Sequence, residues 1–226
     1  MNFFRMGFRS VLPIIPGIIP FGAVMGSAFA EANLSFWQAM LMNTTVYAGA
    51  AQLATTDLMK MNAAIFVVVA TGLIINLRFL LYSAAMSPFL RDSGPLVKFI
   101  CAFTLTDQSY AAMTGNLDKI NTNTEATHYY LGTAACMLLT WHSSVIAGFV
   151  FGNFAPASLS LDFAIPLSFV ALLVPTLKRK DHKAVALFSS VVSLLFYNLP
   201  LKTGLMLTAL LSIGLAWIII QKKSKA

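Results

Sequence analysis

Long apolar runs broken by short polar or charged punctuation fall at residues 11–30, 35–57, 63–87, 96–115, 128–151, 159–177, 183–199 and 203–220. One bilayer crossing takes about 20 predominantly apolar residues. The pattern therefore predicts an all-α polytopic membrane protein with about eight transmembrane segments, the sixth to eighth of them short. Little chain is left over for a soluble module, so residues 1–226 read as a single integral membrane domain. The second run could instead form a re-entrant pair.

Composition fixes the solvent. At 58% hydrophobic and 10% charged residues, with a mean hydropathy of +0.78, the chain departs from soluble domains, where about a quarter of residues are charged. In a soluble protein the net charge of +7 would suggest nucleic acid. Here the basic residues flank apolar runs and act as orientation signals, so no nucleic-acid partner is expected. If all eight runs cross, eleven Lys and Arg residues collect on the side of both termini and three on the other. The positive-inside rule then puts both termini in the cytoplasm, with KRKDHK at 178–183 as the strongest anchor. Arg5 and Arg9, an apolar stretch and AFA at 28–30 imitate a cleavable signal peptide. The stretch is long for that role and holds three prolines, so it is read as a retained span.

That first span carries the strongest backbone irregularity. In PIIPGIIPFGAVMG (13–26), Pro13, Pro16 and Pro20 each lack an N–H and leave carbonyls one turn back without partners. At membrane depth such backbone is tolerated where protein or a watery cavity receives it. A broken first helix lining a substrate path through Pro16, Gly17, Pro20 and Gly22 is the expectation, against a merely kinked packing helix. Gly22 and Gly26 also make a G-x-x-x-G spacing that suits close helix packing.

The candidate chemistry lies in the third and fourth spans. Arg78, in TGLIINLRFLLYSAAM (71–86), is the only charged residue between Ala63 and Pro88, and VKFICAFTLTDQSYAAM (97–113) carries one acid, Asp107. An intramembrane charge costs about 2.5–3.5 kcal/mol on insertion scales and needs a partner. Arg78 and Asp107 are equally far in sequence from the Asp92/Ser93 midpoint, so an antiparallel hairpin sets them level. Two accounts stay open: a structural ion pair, or a zwitterion site in which Arg78 takes a carboxylate and Asp107 an amine or coupling proton. Asn76 lies two residues from Arg78, about 200° away on a regular helix. Either the helix unwinds there or Asn76 faces a different neighbour. In the second span Asn43, Thr44, Thr45, Tyr47 and Gln52 add polar groups beside the small residues Ala48–Ala51.

Other features carry less. Cys101 and Cys136 lack C-x-x-C spacing and read as packing residues. His142 could relay protons but suits hydrogen-bonded packing better. No metal-ligand cluster, cofactor motif, nucleophile elbow or phosphate loop is present, so the chain is not read as an enzyme and no metal or cofactor is expected. NTTVYAG (43–49) resembles HSSVIAG (142–148), and SPFLRD (87–92) resembles VPTLKRKD (174–181). Pairing the second span with the fifth and the third with the sixth would make an inverted three-helix repeat.

Four blocks in order, PGIIPFG (16–22), YAGAAQ (47–52), NLR (76–78) with LYS (81–83), and LTDQSYA (105–111), resemble the AzlC/YgaZ family, the large subunit of two-component branched-chain amino acid exporters. The resemblance covers most of the chain. It implies export of branched-chain amino acids such as valine across the bacterial inner membrane, together with a small AzlD/YgaH-type membrane subunit. It carries over to Gln52, Asn76, Arg78 and Asp107. The family often has His where this chain has Phe79, and Glu where it has Gln108; if those groups carry coupling protons elsewhere in the family, this chain does without them, which counts against proton coupling through Asp107. A channel or uptake transporter for another small solute, and a non-transporting assembly subunit, are the alternative readings.

Overall fold

The computed structural model describes residues 2–151, 170, 177, 180–199 and 203–224, and among them every regular element is helical. With its apolar helices the chain is an all-α polytopic membrane protein. The chain divides into two compact units, Met1–Leu172 and Leu173–Ala226.

In the first unit, α1 (Phe3–Ser10) and α2 (Ile15–Glu31) form one long stem, with α9 (Asn123–Phe151) running alongside it in the same direction. Glycines permit the approach. A Cβ on Gly7 would meet the Tyr129 carbonyl, one on Gly132 the Phe4 carbonyl, one on Gly26 the Val145 carbonyl, and one on Gly148 the Ala23 carbonyl. Without side chains at these four positions the two backbones close on each other, as small residues allow where lipid gives no hydrophobic push. Phe3 and Asn123 thus mark one end of the bundle, and Glu31 and Phe151 the other.

The interruption in the stem lies nearer its start than the prolines suggest. Pro13 sits in a 3₁₀ turn over Leu12–Ile14, and Pro16 sits in the first turn of α2, where a missing N–H costs nothing. The turn also recovers hydrogen bonds, since Ile15 N–H reaches the Leu12 carbonyl and Val11 N–H that of Arg9. Only Pro20 falls inside the helix, which continues through it.

The deeper breaks are in the second and fourth apolar runs. The second run is two half-helices, α3 (Phe36–Thr45) and α4 (Gly49–Lys60), separated by Val46–Ala48. At 10 and 12 residues and ~1.5 Å per residue, each spans about half of a 30 Å hydrocarbon core. α3 starts beside the Glu31 end, where Phe36 meets Phe149 edge to face at 5.7 Å. It runs to the bundle middle, where Asn43 takes a hydrogen bond from Trp141. α4 then returns, because Lys60 at its last turn pairs with Glu31 at 2.6 Å. The hydrogen bond to Glu31 also raises the Lys60 pKa. The run expected to cross as a second span therefore folds back on itself, which is the re-entrant alternative.

The fourth run repeats this from the opposite end. After α5 (Ile65–Asn76) and α6 (Arg78–Met86) cross to the Phe3 end, the turn is tied to the start of α9 by Asp92–Asn123 and Ser93–Thr127 hydrogen bonds. α7 (Pro95–Phe103) enters from there, the chain opens at Thr104–Thr106, and α8 (Asp107–Thr114) leads back, with Ala112 accepting from the Tyr129 hydroxyl. The tips of the two hairpins meet, Tyr47 stacking on Phe103 at 6.4 Å between ring centroids. Three helical stretches in this unit, Phe3–Glu31, Ile65–Leu90 and Asn123–Phe151, are long and apolar enough to cross.

A labelling experiment checks this arrangement. Single cysteines at Glu31 and Lys60 are expected to react with an impermeant maleimide from one side of the membrane, and one at Lys119 from the other. Labelling of positions 31 and 60 from opposite sides would restore a full second crossing.

The expected repeat meets a difference of backbone. NTTVYAG spans the α3–α4 break, whereas HSSVIAG lies inside the continuous α9. Most of VPTLKRKD and most of the sixth run fall outside the described residues. In the second unit, α10 (Lys180–Leu195) and α11 (Thr203–Ser224) are described, and Gly204 lies against the Phe196 carbonyl. Cys101 and Cys136 are free and buried in apolar clusters.

Candidate functional site

Each element brings its residues to the bundle middle for a local reason. Around the first hairpin tip, three consecutive β-branched residues (Thr44, Thr45, Val46) resist helix. Ala48 is extended at φ −154°, ψ 88°, and no side chain caps α4. At the second tip Thr106 is a true N-cap (φ −132°, ψ 163°). It accepts from Ser109 N–H, while the Ser109 hydroxyl accepts from Thr106 N–H. Asp107 thus occupies the first turn of α8, where the helix dipole favours a carboxylate.

Between the tips lies the ion pair. Arg78 Nη1 is 3.0 Å from Asp107 Oδ2, with the two side chains 26% and 20% exposed. The other carboxylate oxygen, Oδ1, accepts from the Tyr82 hydroxyl at 2.9 Å. Tyr82 is one helical turn beyond Arg78, stacks on Tyr110 at 4.4 Å, and was not among the sequence candidates. Its i, i+4 spacing from Arg78 was the available signal. The guanidinium carbon lies 5.1 Å from the Phe79 ring centroid, and Arg78 Nε is buried without a partner among the described residues.

A cavity of ≈ 30 Å³ opens here, lined by Arg78, Phe79, Thr106, Asp107 and Gln108 on one side and Tyr47–Ala50, Phe21, Met137 and Trp141 on the other. The stem contributes through Phe21, next to Pro20, whose ring meets Trp141 edge on at 5.2 Å. Phe79 and Gln108 both line this cavity. A second cavity of ≈ 170 Å³ extends along α6 and α7 from Lys98 to Leu105.

The sequence candidates divide. Arg78, Asp107 and Tyr47 line the cavity together, and the Tyr47 hydroxyl is buried without a partner among the described residues. Gln52 stands behind it, fully buried, donating to the carbonyl and Oδ1 of Asn43 at 3.2 and 3.3 Å and so tying α4 to α3 across the break. Trp141 Nε1 donates to the same Asn43 Oδ1 at 2.9 Å, which fixes the indole that walls the cavity. Asn76 does not line it. The helix tightens at Leu77, where Leu77 N–H and Leu80 N–H reach back three residues, and Asn76 Oδ1 is buried without a partner among the described residues. Of the proline segment, Pro16 is exposed, Gly17 and Pro20 are half-buried, and Gly22 packs on Ser144, whose Cβ would lie 2.6 Å from an added Cβ. His142 stacks on Tyr47 at 5.7 Å, with Nδ1 on the Leu138 carbonyl and Nε2 3.5 Å from Thr44 Oγ1.

Comparison with known proteins gives the family. The family model described as AzlC protein matches residues 13–155, a stretch that holds all four sequence blocks and both hairpins. A protein of Archaeoglobus fulgidus named "Uncharacterized membrane protein" is 30% identical over 218 residues, covering 92% of this chain and 91% of that one. No solved structure matches. The matched segment is more than half of the chain and contains the whole cavity, so the chain belongs to the AzlC family, and its role is membrane transport.

Proposed function

We propose that the chain is the large subunit of a two-component exporter of branched-chain amino acids, with the cavity between the hairpin tips as the substrate site. The observation that carries this is the Arg78–Asp107 pair held at the meeting of two re-entrant hairpins and walled by Phe21, Phe79, Met137 and Trp141. A cation and an anion beside apolar surface match a zwitterion with an aliphatic side chain. Arg78 receives the carboxylate and Asp107 the ammonium, while the rings and Met137 surround the side chain. A cavity of ≈ 30 Å³ holds about one water. Substrate entry therefore requires the pair to part and the tips to separate, and a saturable carrier follows from that closed centre better than an open pore does.

Orientation follows from the hairpins. With both runs folded back, Arg5, Arg9, Arg91, Lys98 and Lys119 gather at the Phe3 end and, among the described residues of this unit, Lys60 alone at the other. The Phe3 end faces the cytoplasm by the positive-inside rule. By the same rule the basic residues at 178–183 and 222–225 favour a cytoplasmic C-terminus, in the bacterial inner (plasma) membrane. The larger cavity beside Lys98 is then the cytoplasmic approach to the site. A small AzlD-type subunit has a natural place on α5 and α6, where only 6% of the most apolar window is buried within the chain.

The test is efflux from valine-loaded vesicles of cells that express this chain alone, the small subunit alone, or both. Saturable efflux with both, competed by leucine and isoleucine, is the expected result. Efflux that never saturates would make the chain a channel. Full efflux with the small subunit alone would reduce it to an assembly factor.

A further inference from the structure

Two helix N-termini face one another across the cavity, and they differ. At α8 the first turn is capped by Thr106 and carries its own carboxylate, Asp107. At α4 the position before the helix is Ala48, which has no side chain able to cap, and Gly49, Ala50 and Ala51 have no hydrogen-bond acceptors for their N–H groups among the described residues. Ala48, Gly49 and Ala50 line the cavity. Tyr47, 7% exposed, lines it as well, and its hydroxyl has no partner among the described residues. Arg78 faces the same space with Nε unpartnered. Free amide donors at the positive end of a 12-residue helix, an unused buried hydroxyl and a guanidinium converge on one small volume. All can donate, and among the described residues no carboxylate lines the α4 side of the cavity.

We infer that the first turn of α4, through the backbone N–H groups of Gly49 and Ala50 with the Tyr47 hydroxyl, is the subsite that receives the carboxylate of the substrate. The inference rests on the exporter reading and deepens it by assigning the carboxylate a second set of donors opposite Arg78. Asp107 already satisfies part of Arg78, so a substrate carboxylate reaching Arg78 alone would compete with a resident anion. At α4 it meets no such competitor, and unpaired amides with the helix dipole favour an anion there. Gly49 suits the role sterically. A Cβ would meet Trp141 Cη2 at 2.7 Å and Phe21 Cζ at 3.1 Å, so glycine keeps the approach to the amides open.

The N–H itself can be removed. Proline is tolerated at the first helical position, and Ala48 (φ −154°, ψ 88°) lies outside the α region that a following proline disfavours. Gly49→Ala adds the same Cβ but retains the N–H, so it is the reference for Gly49→Pro. In the valine-loaded vesicles, Gly49→Pro is expected to raise the half-saturating valine concentration about 10- to 100-fold over Gly49→Ala, the range for a hydrogen bond to a charged group. It is also expected to erase the preference for valine over valinamide as competitor, a discrimination that a purely structural defect would not alter. Tyr47→Phe should raise half-saturation several-fold with the same loss of discrimination, and it decides the matter if neither Gly49 variant inserts. Equal half-saturation in the two Gly49 variants, with valinamide still rejected by both, would overturn the subsite while leaving the exporter reading intact. Wild-type half-saturation and discrimination in Tyr47→Phe, where that variant alone inserts, would overturn it equally. Absence of saturable valine efflux in the wild type would sink the exporter reading, and this inference with it.

Discussion

Arg78→Ala is expected to reduce valine efflux at least 100-fold while the protein still inserts. The variant removes the partner of Asp107 and leaves that carboxylate with Tyr82 as its remaining side-chain contact among the described residues. Breaking a buried pair from one side costs about 3 kcal/mol or more. Here the side chains are 26% and 20% exposed, so the loss of stability falls at the low end. The transport defect must therefore be separated from the stability defect. Arg78→Gln combined with Asp107→Asn removes both charges while conserving shape, and the thermal midpoint should recover toward wild type. Efflux should not recover, because neither amide can replace an ionic partner of the substrate. Full recovery of efflux in the double variant would make the pair a structural device only. Arg78→Lys keeps the charge but loses the planar fork, and a drop of about tenfold or more is expected.

The second large effect concerns folding. Gly148→Val would place a branched side chain on the Ala23 carbonyl, where even a Cβ has no room. Backbone cannot rotate aside as a side-chain tip can, so the stem and α9 must separate. A cost of about 3 kcal/mol or more is expected, enough to remove the monodisperse peak in fluorescence-detected size exclusion. Gly94→Ala and Gly214→Ala provide the contrast. A Cβ at either meets nothing within 4 Å, so neither should lose more than about 1 kcal/mol, and Gly214→Ala, inside a helix, should gain stability. If Gly148→Val matched those controls, the close stem–α9 contact would be wrong.

Much of the site was legible in the residues because membrane burial makes polarity expensive. Arg78 and Asp107 stand out against apolar surroundings, and equal distance from the Asp92/Ser93 turn placed them level, as the 3.0 Å contact has them. Equal depth holds for a hairpin whether or not its second arm is continuous, since α7 still begins at that turn. The break in the second arm was less visible. Thr106 with Ser109 is a capping signature, but inside an apolar run it reads as helix interior unless the helix is already known to stop there. The prolines marked the interruption of the first helix but not how little it costs. They are conspicuous in sequence, yet Pro16 in a first turn is harmless and Pro13 is absorbed by a 3₁₀ turn.

By itself the sequence determined the solvent, the helical class, the family and the charged pair, because each depends on composition or on motifs a few residues long. Only the tertiary structure decided that the second and fourth runs turn back. A run of about 20 apolar residues has the same composition whether it crosses or folds in half. The direction of α4 shows in a contact between Lys60 and Glu31, 29 positions apart. Tertiary structure decided also which polar groups share the cavity. Tyr47 and Asp107 meet there because two hairpins from opposite ends stop at one depth, and Asn76, although two residues from Arg78, is carried past by the helix it belongs to.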